Sequence, residues 1–123
     1  MTEYVDPIYF DSNQSTIKTG SLTVLDHVVE LIKKYNDISI IAINAHTDSD
    51  GSDEYNLELS RKRAQSVKQY FIDKGIDPKM IRSAGYGETK PKVPNTSKEN
   101  KAKNRRVEFE LTGAMLNVQI INR

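Results

Sequence analysis

The sequence predicts an α+β domain, a two-layer sandwich in the order β-α-β-α-β-(α)-β, with helices packed on one face of a mixed four-stranded sheet. Three observations carry this prediction. Two long segments, from about Gly20 to Tyr35 and from about Glu54 to Lys74, repeat apolar residues at helical spacing, and each shows a single apolar stripe. Between them lies a β-branched apolar run, Ile38 to Ala45. Near the C-terminus, Arg105 to Leu111 alternates, with Val107, Phe109 and Leu111 on one side, as in a strand with one dry face.

The elements follow in order. Val5 to Phe10 is short and apolar, with Pro7 inside it. Proline removes a ladder donor, so this is an edge strand or a strand that starts after the proline. Asp11 to Thr19 is a polar loop anchored by Ile17. In the first helix Leu22, Leu25, Val28, Val29, Ile32 and Tyr35 share a face, and Lys33 and Lys34 sit where cations complement the helix dipole. Ile38 to Ala45 is apolar on both alternating faces, as expected of a central strand. It ends at His46-Thr47-Asp48, and Ser49 to Asp53 is a polar turn containing Gly51. The second helix stops at Gly75, a good capping residue. Met80 to Tyr86 reads as a strand, Thr89 to Thr96 as a loop with two prolines, and Ser97 to Lys103 as a short charged helix. The domain is expected to close at Gly113. Residues 114–123, with a weak alternation of Leu116, Val118 and Ile120, are expected to be an extra edge strand, the stub of a further segment, or an added tail.

Composition limits the function. A chain of 123 residues suits one domain. Its net charge of +1 supplies no general field for nucleic acid or an anionic membrane, so no nucleic-acid partner is expected. It has no cysteine, which excludes disulfides, thiolate metal sites and a cysteine nucleophile. No apolar run approaches the ~20 residues of a membrane span. The first residues lack the pattern of a signal peptide, so the expectation is a cytoplasmic protein or one domain of a longer secreted chain.

The chemistry concentrates between His46 and Ala64. At 100° per residue, Leu57, Ser60, Ala64, Val67 and Phe71 form the buried face of the second helix. Of the adjacent basic residues Arg61, Lys62 and Arg63, only Arg63 turns inward, with Asn56 beside the same face. A buried guanidinium must be paired or must reach a wet cleft. Its nearest foreseeable partner is Asp48, at the strand end that feeds this helix. Two readings fit: a structural ion pair, or a cleft holding one anion and one cation apart for a zwitterionic amino-acid head. Metal or hydrolytic chemistry has little support, because His46 and Asp48 have no second histidine beside them. Asp48-x-Asp50-Gly51-x-Asp53 is not a calcium loop, since Leu59 occupies the place of the required glutamate. Gly85-Tyr86-Gly87 lacks the further glycine and the lysine of a phosphate loop. The stretch from Lys98 to Arg106 is locally basic, which suits a solvated surface or contact with carboxylates or glycan.

Four motifs in order resemble one family. They are His46-Thr47-Asp48 with Gly51; Asn56-x-x-Leu59-Ser60-x-x-Arg63-Ala64; Gly85-x-Gly87-Glu88-x-x-Pro91; and Asn104-Arg105-Arg106-Val107-Glu108. Together they are similar to the OmpA C-terminal domains, also found in the peptidoglycan-associated lipoprotein and the flagellar stator protein MotB. The resemblance spans about Ile8 to Leu111. It implies a noncovalent peptidoglycan binder that is not an enzyme and needs no cofactor or metal. The implied ligand is the diaminopimelate of the stem peptide in Gram-negative wall, whose free ammonium and carboxylate sit on one carbon. By position, Asp48 would take the ammonium and Arg63 the carboxylate. Thr47 and Leu59 would line the cleft, Phe10 and Asp11 would form its other wall, and Asn56 would brace the loop after Asp48. Arg105 or Arg106 would face the cleft as well. The resemblance places the domain in the periplasm, attached to the outer membrane through other parts of a parent chain. The alternative is the wall anchor of a stator-like motor protein, in which homodimerisation matters as much as wall binding. The chain departs from the family in having Asn44-Ala45 where glycine commonly precedes His-Thr-Asp.

Overall fold

The computed structural model describes residues 2–35, 37–113 and 117–120. Its strands are β1 (Thr2–Val5), β2 (Ile8–Tyr9), β3 (Ile38–Ala45), β4 (Ile81–Gly85), β5 (Arg106–Gly113) and β6 (Asn117–Ile120), and its α-helices are α1 (Leu22–Lys34), α2 (Asp53–Asp73) and α3 (Lys98–Asn104). Four strands form a mixed sheet in the order β2-β5-β3-β4. β3 pairs in parallel with β4 and antiparallel with β5, and β2 adds antiparallel to β5 at the edge. This is the expected α+β sandwich.

The N-terminal apolar stretch divides into two strands. Asp6-Pro7 interrupts the ladder, because proline has no N–H to donate. β1, before the break, pairs in parallel with β6, and these two form a separate small sheet. β2, after it, is the edge strand. Of the C-terminal alternation, Val118 and Ile120 thus fall in a strand, while Leu116 lies outside the described residues.

β3 is central, as its composition predicts, but only one of its faces is covered. Ile41, Ile43 and Ala45 are buried, whereas Ile40 on the opposite face is 36% exposed. Both long helices therefore share one side of the sheet. Tyr70 of α2 donates to Asp26 of α1, which ties the helices together. The core joins Leu25, Val28 and Ile32 of α1 to Val67 and Phe71 of α2 and to Ile41, Ile43, Phe109 and Leu111 of the sheet. Phe71 and Phe109 meet with ring centroids 5.8 Å apart.

The start of α2 is fixed by its cap and by glycine. Ser52 accepts a hydrogen bond from the Tyr55 amide at 3.1 Å, and Asp53 and Glu54 occupy the first turn, where acids complement the dipole. At the end of β4 the helix backbone comes so close that a Cβ on Gly85 would lie 2.5 Å from Ser60 Oγ and 2.6 Å from the Arg61 amide nitrogen. Ser60 Oγ in turn accepts from the Gly87 amide at 3.0 Å. This contact sets the distance between α2 and the sheet. Gly85→Ala is expected to destabilise the domain by about 1–3 kcal/mol in urea unfolding. Gly20→Ala, where a Cβ meets nothing within 4 Å, leaves the midpoint near its wild-type value.

Candidate functional site

β3 does not stop abruptly. Beyond Ala45 the chain stays clamped on both sides: the His46 amide donates to the Arg106 carbonyl at 2.8 Å, and the Thr47 amide to the Gly87 carbonyl at 2.9 Å. This rail delivers His46, Thr47 and Asp48, all buried, to the edge of the helix layer. Asp48 is then shaped by its own turn. Its Oδ1 accepts from the Asp50 amide at 3.0 Å, and its main-chain oxygen accepts from Thr47 Oγ1 at 2.8 Å and from Asn56 Nδ2 at 3.4 Å. Asn56 also donates to Glu88 Oε1 at 3.3 Å, so it links the Asp48 turn to the loop after β4.

Arg63 is fully buried, as the helical geometry predicts, while Arg61 and Lys62 are exposed. The stripe differs at its N-terminal end: Leu59 is buried and Leu57 only partly so. The partners of Arg63 are not the foreseen ones. Its Nε donates to the Gln14 carbonyl at 2.8 Å, Nη1 to the His46 carbonyl at 3.1 Å and Nη2 to the Asp11 carbonyl at 3.0 Å. Its guanidinium carbon lies 5.1 Å from the centre of the Phe10 ring, on a favourable cation–π path. Among the described residues no carboxylate forms an ion pair with it. Burial, and then the neighbouring charge of Arg105, draw its pKa down to about 10, with Asp48 and Tyr55 opposing. It remains charged at neutral pH.

Asp48 pairs instead with Arg105, whose Nη1 lies 3.1 Å from Asp48 Oδ2. Arg105 Nε donates to the Phe10 carbonyl at 2.9 Å, which closes a ring of Phe10, Asp11, Asp48, Arg63 and Arg105. Thr47, Leu59 and Asn56 lie in the segments that carry this ring. The Asp11 side chain faces outward and pairs with Lys18 at 3.1 Å; only its carbonyl reaches Arg63.

Arg106 is not brought to this group. It lies toward the open face of the sheet, where its Nε donates to Glu108 Oε1 at 2.6 Å and its Nη2 to the Lys90 carbonyl at 3.1 Å. Residues on consecutive positions of a strand point to opposite faces, which separates it from Arg105. His46 belongs to this second cluster. Its ring stacks on Tyr86 at 5.3 Å, and its Nε2 lies 3.7 Å from Glu108 Oε1. Strand alternation was the available signal for this division.

The α+β sandwich thus holds one carboxylate and two guanidiniums at the end of its central strand. The OmpA family model matches residues 9–105, and the chain belongs to that family. It is 42% identical over 106 residues to outer membrane protein A of Bordetella avium, covering 86% of this chain and 54% of that relative's length. Among solved structures, the peptidoglycan-associated lipoprotein of Burkholderia pseudomallei superposes with a TM-score of 0.81 at 25% identity, covering 86% of this chain and 89% of that one. The C-terminal domain of Helicobacter pylori MotB gives 0.82 at 28% identity, with 90% and 87% covered. Among the described residues no helix is long and apolar enough to cross a membrane.

The His46 cluster generates a pH prediction. Burial first, and then Arg106 and Lys90, lower the imidazole pKa from 6.5 to about 4 against the opposing pull of Glu108. The folded state thus keeps His46 neutral while the unfolded chain binds a proton at 6.5. This stability is complete above pH 6.5 and is lost as pH falls towards 4. Unfolding across this window is expected to show a loss on the order of 3 kcal/mol that His46→Gln lacks.

Proposed function

We propose that this domain binds peptidoglycan noncovalently through the zwitterionic end of a diaminopimelate residue in the stem peptide. In that role it anchors a parent protein of the outer membrane to the cell wall from the periplasmic side. The observation that carries the reading is a charge imbalance. Two guanidiniums, Arg63 and Arg105, stand near one carboxylate, Asp48; Arg105 pairs with it, and the more deeply buried Arg63 bonds to carbonyls and faces an aromatic ring, with no carboxylate in an ion pair with it among the described residues. A guanidinium has five donors, and Arg63 spends three on carbonyls, so two N–H groups remain for an anion. A ligand carboxylate supplies the missing negative charge in bidentate form. Its ammonium, on the same carbon, donates to the remaining lone pairs of Asp48. Nothing in this chemistry calls for bond-making or turnover, so the reading is of an anchor and not an enzyme.

Kinship with the peptidoglycan-associated lipoprotein supports the wall as the partner. The equal likeness to MotB supports a second reading, in which the same wall contact serves a stator-like motor protein and the anchored domain works as a homodimer. The two readings share the site and differ in the parent chain. Sedimentation of the isolated domain separates them, since only the motor reading expects a dimer.

Calorimetry tests the ligand assignment. A wall peptide with diaminopimelate is expected to bind about 10–100-fold more tightly than the same peptide with lysine, which lacks the side-chain carboxylate. Asp48→Asn, which keeps shape and removes charge, is expected to reduce affinity by a similar factor while circular dichroism stays unchanged. Equal affinity for the two peptides overturns the assignment of Arg63 to the carboxylate.

A further inference from the structure

Asp48 and Arg63 form no direct bond among the described residues, and each is held by a turn. The turn after Asp48 runs through Gly51, which stands at φ +91°. The turn that holds Arg63 is Asp11-Ser12-Asn13-Gln14, closed by a 3.1 Å bond from the Gln14 amide to the Asp11 carbonyl. Both ends of it accept from the guanidinium, Asp11 from Nη2 and Gln14 from Nε. Asn13, its third residue, stands at φ +61°. That is the left-handed region, which asparagine enters more readily than other side chains but still at a cost.

One side chain touches both turns. Tyr55, in the first turn of α2, is 45% exposed and takes no part in the core. Its hydroxyl donates to Asn13 Oδ1 at 3.2 Å. Its aromatic ring lies against Gly51, where a Cβ would stand 3.2 Å from Tyr55 Cδ1. Its own amide is fixed by the Ser52 cap, so the helix roots the side chain between the two turns. A tyrosine has only two side-chain torsions and a rigid ring, which makes it a spacer of nearly fixed length.

We propose that Tyr55 is a positioning residue for the zwitterion site: a strut between the two turns, whose hydroxyl holds Asn13 so that the Asp11 and Gln14 carbonyls stay on Arg63. The inference rests on the binding reading above and adds to it a residue that acts through Arg63. Without the hydroxyl, the left-handed Asn13 loses this anchor and its turn samples other conformations. Arg63 is then presented less often in the orientation that a ligand carboxylate needs, and the ligand meets an ordering cost that the native contact removes. The loss falls on the carboxylate, which Arg63 takes, and not on the ammonium, which Asp48 takes.

The test is calorimetry with the diaminopimelate and lysine wall peptides. Tyr55→Phe keeps the aromatic ring against Gly51 and removes the bond to Asn13. It is expected to weaken the diaminopimelate peptide about two- to fivefold, the effect of one hydrogen bond, and to leave the lysine peptide unchanged, so the preference between them narrows. A general loss of stability would move both peptides alike. Asn13→Gly adopts the left-handed backbone without strain and also removes the bond, so it is expected to narrow the preference too. Adding Tyr55→Phe to it is expected to change nothing further. If Tyr55→Phe leaves the preference at its wild-type value, or costs as much in the Asn13→Gly background as alone, the strut is overturned while the zwitterion reading stands. If wild type itself does not prefer the diaminopimelate peptide, the zwitterion reading fails and this inference with it.

Discussion

The buried guanidinium of Arg63 is the constraint on which the rest depends. It stands on α2 but is held by carbonyls from two other segments: Asp11 and Gln14 in the loop after β2, and His46 at the end of β3. The Asp11 carbonyl also accepts from the Gln14 amide at 3.1 Å, so the arginine ties a turn that the first loop already makes to the end of β3. In return the loop lends the charge its dipoles and the face of Phe10. Enclosing a cation in this way costs desolvation energy, which an apolar residue in the same place would avoid. A fold that only needed to join α2 to the sheet had cheaper means. The presence of charge there is the physical reason to look for an anion from outside.

The other contacts protect that placement. Gly85 lets α2 approach the sheet until Ser60 touches the end of β4, and Ser60 holds the Gly87 amide. Gly87 holds Thr47, and Asn56 holds the oxygen of Asp48. Together these bonds fix the Asp48 carboxylate relative to the Arg63 side chain without a direct bond between them. Preorganisation of this kind reduces the ordering cost that a ligand meets on binding.

The layer architecture was legible in the sequence because it is written in periodicity: helical stripes in α1 and α2, alternation in β5, and a β-branched run in β3. The inward turn of Arg63 followed from the same count. Its partners did not, since a carbonyl is carried by every residue and leaves no trace in side-chain pattern. Asp48 and Arg105 are 57 positions apart, and only the antiparallel return of β5 beside β3 brings them together. The break at Pro7 was visible, but the pairing of β1 with β6 was not, because parallel partners at opposite ends of a chain share no local signal.

The motif His46-Thr47-Asp48 reads as one unit in sequence and acts as two in space. Strand alternation sends His46 to the open face of the sheet, against Tyr86 and Glu108, and the turn after it carries Asp48 to the helix side. Arg105 and Arg106 divide in the same way, one to each side. Among the described residues the two clusters meet through backbone: the His46 carbonyl accepts from Arg63, and its amide donates to the Arg106 carbonyl. The imidazole therefore stands apart from the side chains of Asp48, Arg63 and Arg105. Its neutral state keeps a further positive charge away from a strand end that already serves two guanidiniums. The open face of the sheet therefore acts on the placement of Asp48 through backbone, by the bond from the His46 amide to the Arg106 carbonyl.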